Sequence, residues 1–156
     1  MRKNASWLLL LLLLILPVML PADTLETVYF RGNMSPANEV PPVTGESANA
    51  TGRTTIVFHV RRDNAGAIVS GVVDFDIDYN FPVPVTIRGL HIHQGAAGIN
   101  GPVSIDTGLS ATNTQDASGT GNIFKQVVVT SGDALTALGG VLTNPAGWYV
   151  NIHTAA

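Results

Sequence analysis

Three of the four histidines stand in two short patterns that could bind a metal ion. The patterns are Leu90-His91-Ile92-His93 and Val150-Asn151-Ile152-His153. Alternate residues of a β-strand point to the same face and lie about 6.6 Å apart along the backbone, so His91 and His93 share a face. Imidazole nitrogens are good ligands for zinc and copper. If the two strands are neighbours, His153 completes a three-histidine site for copper or zinc.

The same histidines also have a structural interpretation that needs no metal. His91, His93 and His153 could form hydrogen bonds with loop backbone and hold the turn at residues 95–102. Composition does not separate the two interpretations, so both stay open. The fourth histidine, His59, is predicted to be a partly exposed strand residue outside this group.

The other familiar catalytic and binding patterns are missing from the sequence. It contains no cysteine, which excludes thiolate ligands, thiol catalysis and disulfides. It has no Gly-x-Ser-x-Gly elbow. The glycine-rich stretch 94–102 lacks the Gly-Lys-Ser or Gly-Lys-Thr of a phosphate loop and leads into a strand. We therefore expect no enzymatic activity.

The elements that must position the histidines are predicted to be β-strands. Short runs rich in β-branched and aromatic residues are separated by Gly, Asn, Pro and Ser, which is typical of an antiparallel sandwich. The predicted strands are 24–31, 51–60, 67–78, 85–93, 103–108, 121–129 and 147–153. One helix is predicted: Ser131 or Gly132 opens it, residues 134–142 supply its apolar side chains, and Asn144-Pro145 stops it. Because Gly139-Gly140 weakens its interior, we expect no more than one or two turns.

Two of these strands carry informative side-chain patterns. Asp74, Asp76 and Asp78 alternate with apolar residues, which predicts a solvated strand face and not a calcium loop. Ile87 has the same parity as His91, so strict alternation would place a large apolar side chain among the histidines. Either this strand is buried on both faces or Gly89 marks a β-bulge that switches them, and we favour the bulge.

The N-terminus predicts an exported protein. Arg2 and Lys3 precede an uncharged apolar run at 7–16, as in a secretory signal peptide with processing near Ala22. An uncleaved membrane anchor is the alternative. Removal of 1–22 takes two of the eight basic residues, and the remaining six against eleven acidic ones give a net charge of about −5. Such a charge opposes nucleic-acid binding, and we expect a secreted or periplasmic location.

Three ordered motifs resemble the CHRD domain, which is named for chordin and widespread in exported bacterial proteins. They are Asn38-Glu39-Val40-Pro41-Pro42-Val43, Leu90-His91-Ile92-His93-Gln94-Gly95 with Asn100-Gly101-Pro102-Val103, and Trp148-Tyr149-Val150-Asn151-Ile152-His153-Thr154. The resemblance runs over 24–156. It implies an immunoglobulin-like antiparallel β-sandwich or barrel without established catalytic activity. In chordin-type proteins the module accompanies regions that bind growth factors.

The resemblance breaks off at the C-terminus. Members of the family continue past the final His-Thr with a short loop and a last strand, whereas this chain stops at Ala156. The resemblance thus implies a truncated C-terminus or a sheet edge that pairs with another chain.

The expected function is a non-enzymatic exported module, structural or ligand-binding, whose partner is an unidentified protein or small ligand. A copper- or zinc-binding protein is the alternative.

Overall fold

The structure, a computed structural model, describes residues 22–155, so all of the predicted signal segment except Ala22 lies outside it. The strands are β1 Thr24–Met34, β2 Thr51–Arg62, β3 Ile68–Gln94, β4 Val103–Asp106, β5 Gln115–Val129 and β6 Trp148–Thr154, with one helix, α1, at Gly132–Thr143. Short 3-10 turns occupy Pro36–Asn38, Glu46–Asn49 and Pro145–Gly147. No helix in the described part is long and apolar enough to cross a membrane.

The long strand β3 organises one antiparallel sheet of six strands. Its first part pairs with β2 on one side and β5 on the other. Its last part pairs with β6 and β4. β1 extends the sheet beyond β2, and the whole sheet curls into a half-barrel. The prediction of an all-β antiparallel fold with one short helix is confirmed.

The prediction of two separate strands at 67–78 and 85–93 is wrong, because β3 runs through both. Proline lacks the N–H that a strand ladder needs, yet β3 continues through Pro82 and Pro84. The β2 ladder ends at Asn80, and the β5 ladder skips from Phe81 to Val85. Both prolines therefore lie at positions where no neighbouring strand needs a backbone N–H from β3. The second part of the β5 ladder also explains why β5 begins at residue 115 and not at 121.

The alternation along β3 separates core from solvent as expected. Three odd-numbered residues are 0% exposed: Val73, Phe75 and Ile77. The intervening aspartates point to the other face, where their carboxylates accept hydrogen bonds from side-chain amides of β5. This arrangement is the predicted solvated strand face.

Helix α1 is longer than predicted, with 12 residues in place of one or two turns. Its buried face consists of Ala137, Leu138 and Val141, which join the core cluster of the sheet. Tertiary burial of an apolar face stabilises a helix more than intrinsic propensity does. The interior Gly140 has a steric role, because a Cβ there would lie 2.5 Å from Cζ2 of Trp148.

Candidate metal centre

The register between β3 and β6 brings the three predicted histidines together. His91 lies opposite Asn151, and His153 lies opposite Gly89. The ring centroids of His91 and His93 are 5.6 Å apart, and the His153 ring lies 5.2 and 5.6 Å from them. One ring nitrogen from each histidine lies within 4.8 Å of the other two. The three side chains therefore form one cluster, which we call the histidine cluster.

A β-bulge at residues 87–89 places the histidines on a different face from Ile87. The β3–β6 register shifts between Ile87 and Gly89, so Arg88 has no partner. Ile87, Leu90 and Ile92 all belong to the core, although the first has an odd number and the other two have even numbers and would lie on the opposite face of a regular strand. The predicted bulge is therefore present, and it turns His91 and His93 away from the core.

His93 uses one ring nitrogen in a hydrogen bond, and its other ring nitrogen has no hydrogen-bond partner among the described residues. Nδ1 lies 3.0 Å from the carbonyl oxygen of Gly101. A carbonyl oxygen only accepts, so Nδ1 carries the proton, and in the neutral ring Nε2 then carries a lone pair. His93 is 6% exposed, and its Nε2 has no hydrogen-bond partner within residues 22–155.

His91 shows the same division between its two ring nitrogens. Nε2 lies 3.4 Å from Oδ1 of Asp106, which sits opposite His91 on β4. Nδ1 is buried and finds no partner among the described residues. In metal-binding histidines, one nitrogen usually faces a carbonyl or carboxylate while the other binds the ion. The environments of His91 and His93 match that arrangement.

The surroundings of His91 and His153 favour the neutral form of these two rings. Burial lowers the pKa of His91, and His153 and His93 add to the effect, while the Asp106 carboxylate opposes it. Burial and then His93 lower the pKa of His153, and Glu39 opposes them. Burial and mutual repulsion both penalise the protonated ring. Neutral imidazole is also the form that binds a metal.

Tyr149 supports the cluster and was missed by the sequence reasoning. Its ring stacks on His93 with centroids 5.0 Å apart and an interplanar angle of 8°. Its hydroxyl accepts a hydrogen bond of 3.1 Å from the backbone N–H of Gly101. The loop at 95–101 is thus held through both His93 and Tyr149, which agrees with the structural interpretation for His93. Tyr149 and His153 are both odd-numbered residues of β6, so side-chain alternation could have placed Tyr149 on the face of the cluster.

Glu39 and Asn151 form a second group that the histidine pattern did not indicate. Asn151 is 7% exposed, and its Nδ2 donates a hydrogen bond of 3.2 Å to Oε2 of Glu39. The two residues are 112 positions apart in the sequence, so no local pattern could have paired them.

His59, by contrast, lies apart from the cluster as predicted. Its Nε2 lies 3.1 Å from Asp74 Oδ2, and its side chain is 45% exposed.

The comparison with protein families agrees with the motifs. The family model described as "CHRD domain" matches residues 30–156. No significant match was found among curated proteins or solved structures. The CHRD domain is known as a non-enzymatic domain family. Since the match covers most of the chain and includes every residue of the histidine cluster, this protein belongs to the CHRD domain family.

Proposed function

We propose that this chain is a non-enzymatic, exported CHRD module that binds one copper or zinc ion through His91, His93 and His153. The observation that carries the proposal is the pair of bare nitrogens, Nδ1 of His91 and Nε2 of His93. A buried polar atom without a partner costs about 1–3 kcal/mol. Coordination of a metal ion would satisfy both nitrogens at once.

The spacing of the cluster supports one shared ion. Zinc–nitrogen bonds measure about 2.0–2.1 Å, so in a tetrahedral site two nitrogens on one ion lie about 3.3–3.4 Å apart. One ring nitrogen from each histidine lies within 4.8 Å of the other two, so the nitrogens need to approach one another by up to about 1.5 Å. His153 is the most exposed of the three histidines and lies near the end of β6, so its partly buried side chain can make this adjustment by rotation.

Export is supported by the sequence alone. The basic Arg2-Lys3 pair and the uncharged run after it are the features of a secretory signal. We propose a secreted or periplasmic location on that ground. In such a location the β-domain serves as a rigid scaffold that presents the histidine cluster near the surface.

Metal titration of the purified protein tests this function. We expect one Zn²⁺ or Cu²⁺ ion per chain with a dissociation constant in the micromolar range or tighter. The double variant His91→Ala, His93→Ala should lose this binding, whereas His59→Ala should keep it because His59 lies outside the cluster. Circular dichroism should show the β-fold in every variant. If the wild type binds no ion and the double variant only lowers the melting temperature, the histidines are structural.

A second candidate function is the binding of a small apolar ligand. A cleft of about 810 Å³ lies between β1 and β6. Pockets for small molecules have similar volumes and mostly apolar walls. Its walls include Phe30, Met34, Phe58, Ile92, Trp148 and Ile152. Quenching or a spectral shift of Trp148 fluorescence on titration with long-chain fatty acids would support this function, and unchanged fluorescence would count against it.

A further inference from the structure

The histidine cluster supplies three donor nitrogens to an ion. Within residues 22–155, no fourth His, Cys, Asp or Glu brings a ligand atom into the group formed by His91, His93 and His153. Zinc is bound by four ligands in a tetrahedron, and a site to which the protein gives only three keeps an exchangeable fourth position. An ion in the cluster therefore has one position left for a further ligand.

Two acidic side chains near the cluster are engaged in other contacts. Oδ1 of Asp106 accepts a hydrogen bond of 2.7 Å from the backbone N–H of Gly108, and it faces Nε2 of His91, not the partnerless Nδ1. Oε2 of Glu39 accepts from Nδ2 of Asn151 at 3.2 Å. Neither carboxylate belongs to the group that could share an ion. The fourth ligand is therefore expected to come from solution.

The cluster is closed on the side of His93 and open on the side of His153. His93 is 6% exposed, its ring stacks on that of Tyr149, and its Nδ1 donates to the carbonyl oxygen of Gly101 in the loop at 95–101. His153 is exposed, and so is Thr154, the last residue of β6. A ligand from solution therefore reaches the ion from the side of His153.

The charge of the loaded site favours an anion in this position. Imidazole binds a metal in its neutral form, so a divalent ion held by three imidazoles keeps both of its positive charges. An anionic fourth ligand balances one of these charges, whereas a neutral ligand balances none. The Coulomb attraction is stronger where burial excludes water, and the cluster is partly buried.

We propose that the metal-loaded histidine cluster binds one small anion, such as a carboxylate, which occupies the fourth position of the ion and enters beside His153. The inference rests on the proposed function, because it requires the ion. It adds a second step to that function, in which the bound ion is itself the receptor for a small anionic ligand.

Cobalt substitution makes the fourth position visible. Co²⁺ binds imidazole as zinc does, and its visible absorption changes with the number and type of its ligands. Sodium acetate and acetamide are the matched probes, since they have almost the same shape and differ in charge, and sodium azide is a second anionic probe. Each should be titrated into Co²⁺-loaded wild-type protein and Co²⁺-loaded His59→Ala, with the ionic strength held constant by sodium perchlorate.

We expect acetate and azide to change the spectrum in a saturable way, with one anion per ion and with each displacing the other. Acetamide should bind at least about tenfold more weakly than acetate, because it leaves the charge of the ion unbalanced. His59→Ala should respond as the wild type does, since His59 lies outside the cluster.

The outcomes distinguish this inference from the proposed function. A wild-type protein that binds neither Zn²⁺ nor Co²⁺ overturns both, and so does a response that disappears in His59→Ala. A protein that binds Co²⁺ but does not respond to acetate or azide has a closed site, which overturns only the anion site. Equal affinity for acetate and acetamide, or release of Co²⁺ by the anions, would likewise overturn it.

Discussion

A Cβ atom at position 89 would stand 2.5 Å from Cε1 of His91, so the His91 ring occupies space that only a glycine leaves free. The same Cβ would lie 3.3 Å from Cδ2 of His153. Gly89 is also the residue at which the β3–β6 register shifts. One glycine thus provides both the change of face and the room in which two rings of the cluster lie.

Gly89→Ala should therefore weaken metal binding. The added methyl group forces the rings of His91 and His153 away from their positions, because neither neighbouring strand can give way without losing ladder bonds. We expect a loss of Zn²⁺ affinity of at least about tenfold and a destabilisation of about 1–3 kcal/mol. Gly32→Ala is the control, since a Cβ at that strand position would meet only Thr54 Cγ2 at 3.5 Å. Unchanged affinity in Gly89→Ala would contradict this role.

The stability of the metal-free protein should fall as the pH drops below 6.5. Burial is the main cause that lowers the pKa of both His91 and His153 from the ordinary value of 6.5. Between 6.5 and the lower folded-state pKa, the unfolded chain binds more protons, so the free energy of unfolding decreases as the pH falls. Urea unfolding at about pH 8 and about pH 5 measures this loss. The double variant His91→Gln, His153→Gln should show a smaller loss, and an equal one would refute the assignment.

Tyr149→Phe should loosen the loop at 95–101 without dispersing the cluster. The variant removes the hydroxyl that accepts from the Gly101 N–H but keeps the ring that stacks on His93. One such hydrogen bond is worth about 0.5–1.5 kcal/mol. Hydrogen exchange of the Gly101 amide should therefore accelerate by about 2- to 13-fold. Tyr29→Phe is the control, because Tyr29 is 62% exposed on β1. An unchanged Gly101 exchange rate would count against the contact.

Two adjacent glycines of α1 should respond to alanine in opposite ways. A Cβ at Gly139 would make an ordinary contact of 3.7 Å with Ile68 Cδ1, so Gly139→Ala should stabilise the helix by about 0.5–1 kcal/mol. A Cβ at Gly140 would lie 2.5 Å from Cζ2 of Trp148, so Gly140→Ala should destabilise the protein by about 1–3 kcal/mol. Urea unfolding of the two variants checks both signs. The same sign for both would contradict the observed helix–strand contact.

The sequence predicted features that depend on local backbone geometry. Period-two alternation placed Val73, Phe75 and Ile77 in the core, and the structure agrees. The same rule put His91 and His93 on one face. The conflict in parity with Ile87 favoured a bulge near Gly89 over a strand buried on both faces, because a single extra residue exchanges the two faces of a strand.

The local rules failed where the outcome depends on a distant neighbour. Separate strands were predicted at 67–78 and 85–93, yet one strand continues through Pro82 and Pro84 because no neighbouring ladder uses those positions. The glycine pair of α1 predicted a short helix, yet burial against the sheet sustains three turns. In both cases the energy that decides the structure comes from packing between segments that are far apart in the sequence.

The sequence by itself determined which side chains could bind a metal and which of them share a strand face, because alternation is a property of the strand backbone. The tertiary structure alone decided that β6 lies beside β3, with His153 opposite Gly89. It also decided that Glu39, 112 residues before Asn151, reaches the same face. Strand pairing and register follow from burial of the whole core, which no short segment of the chain encodes.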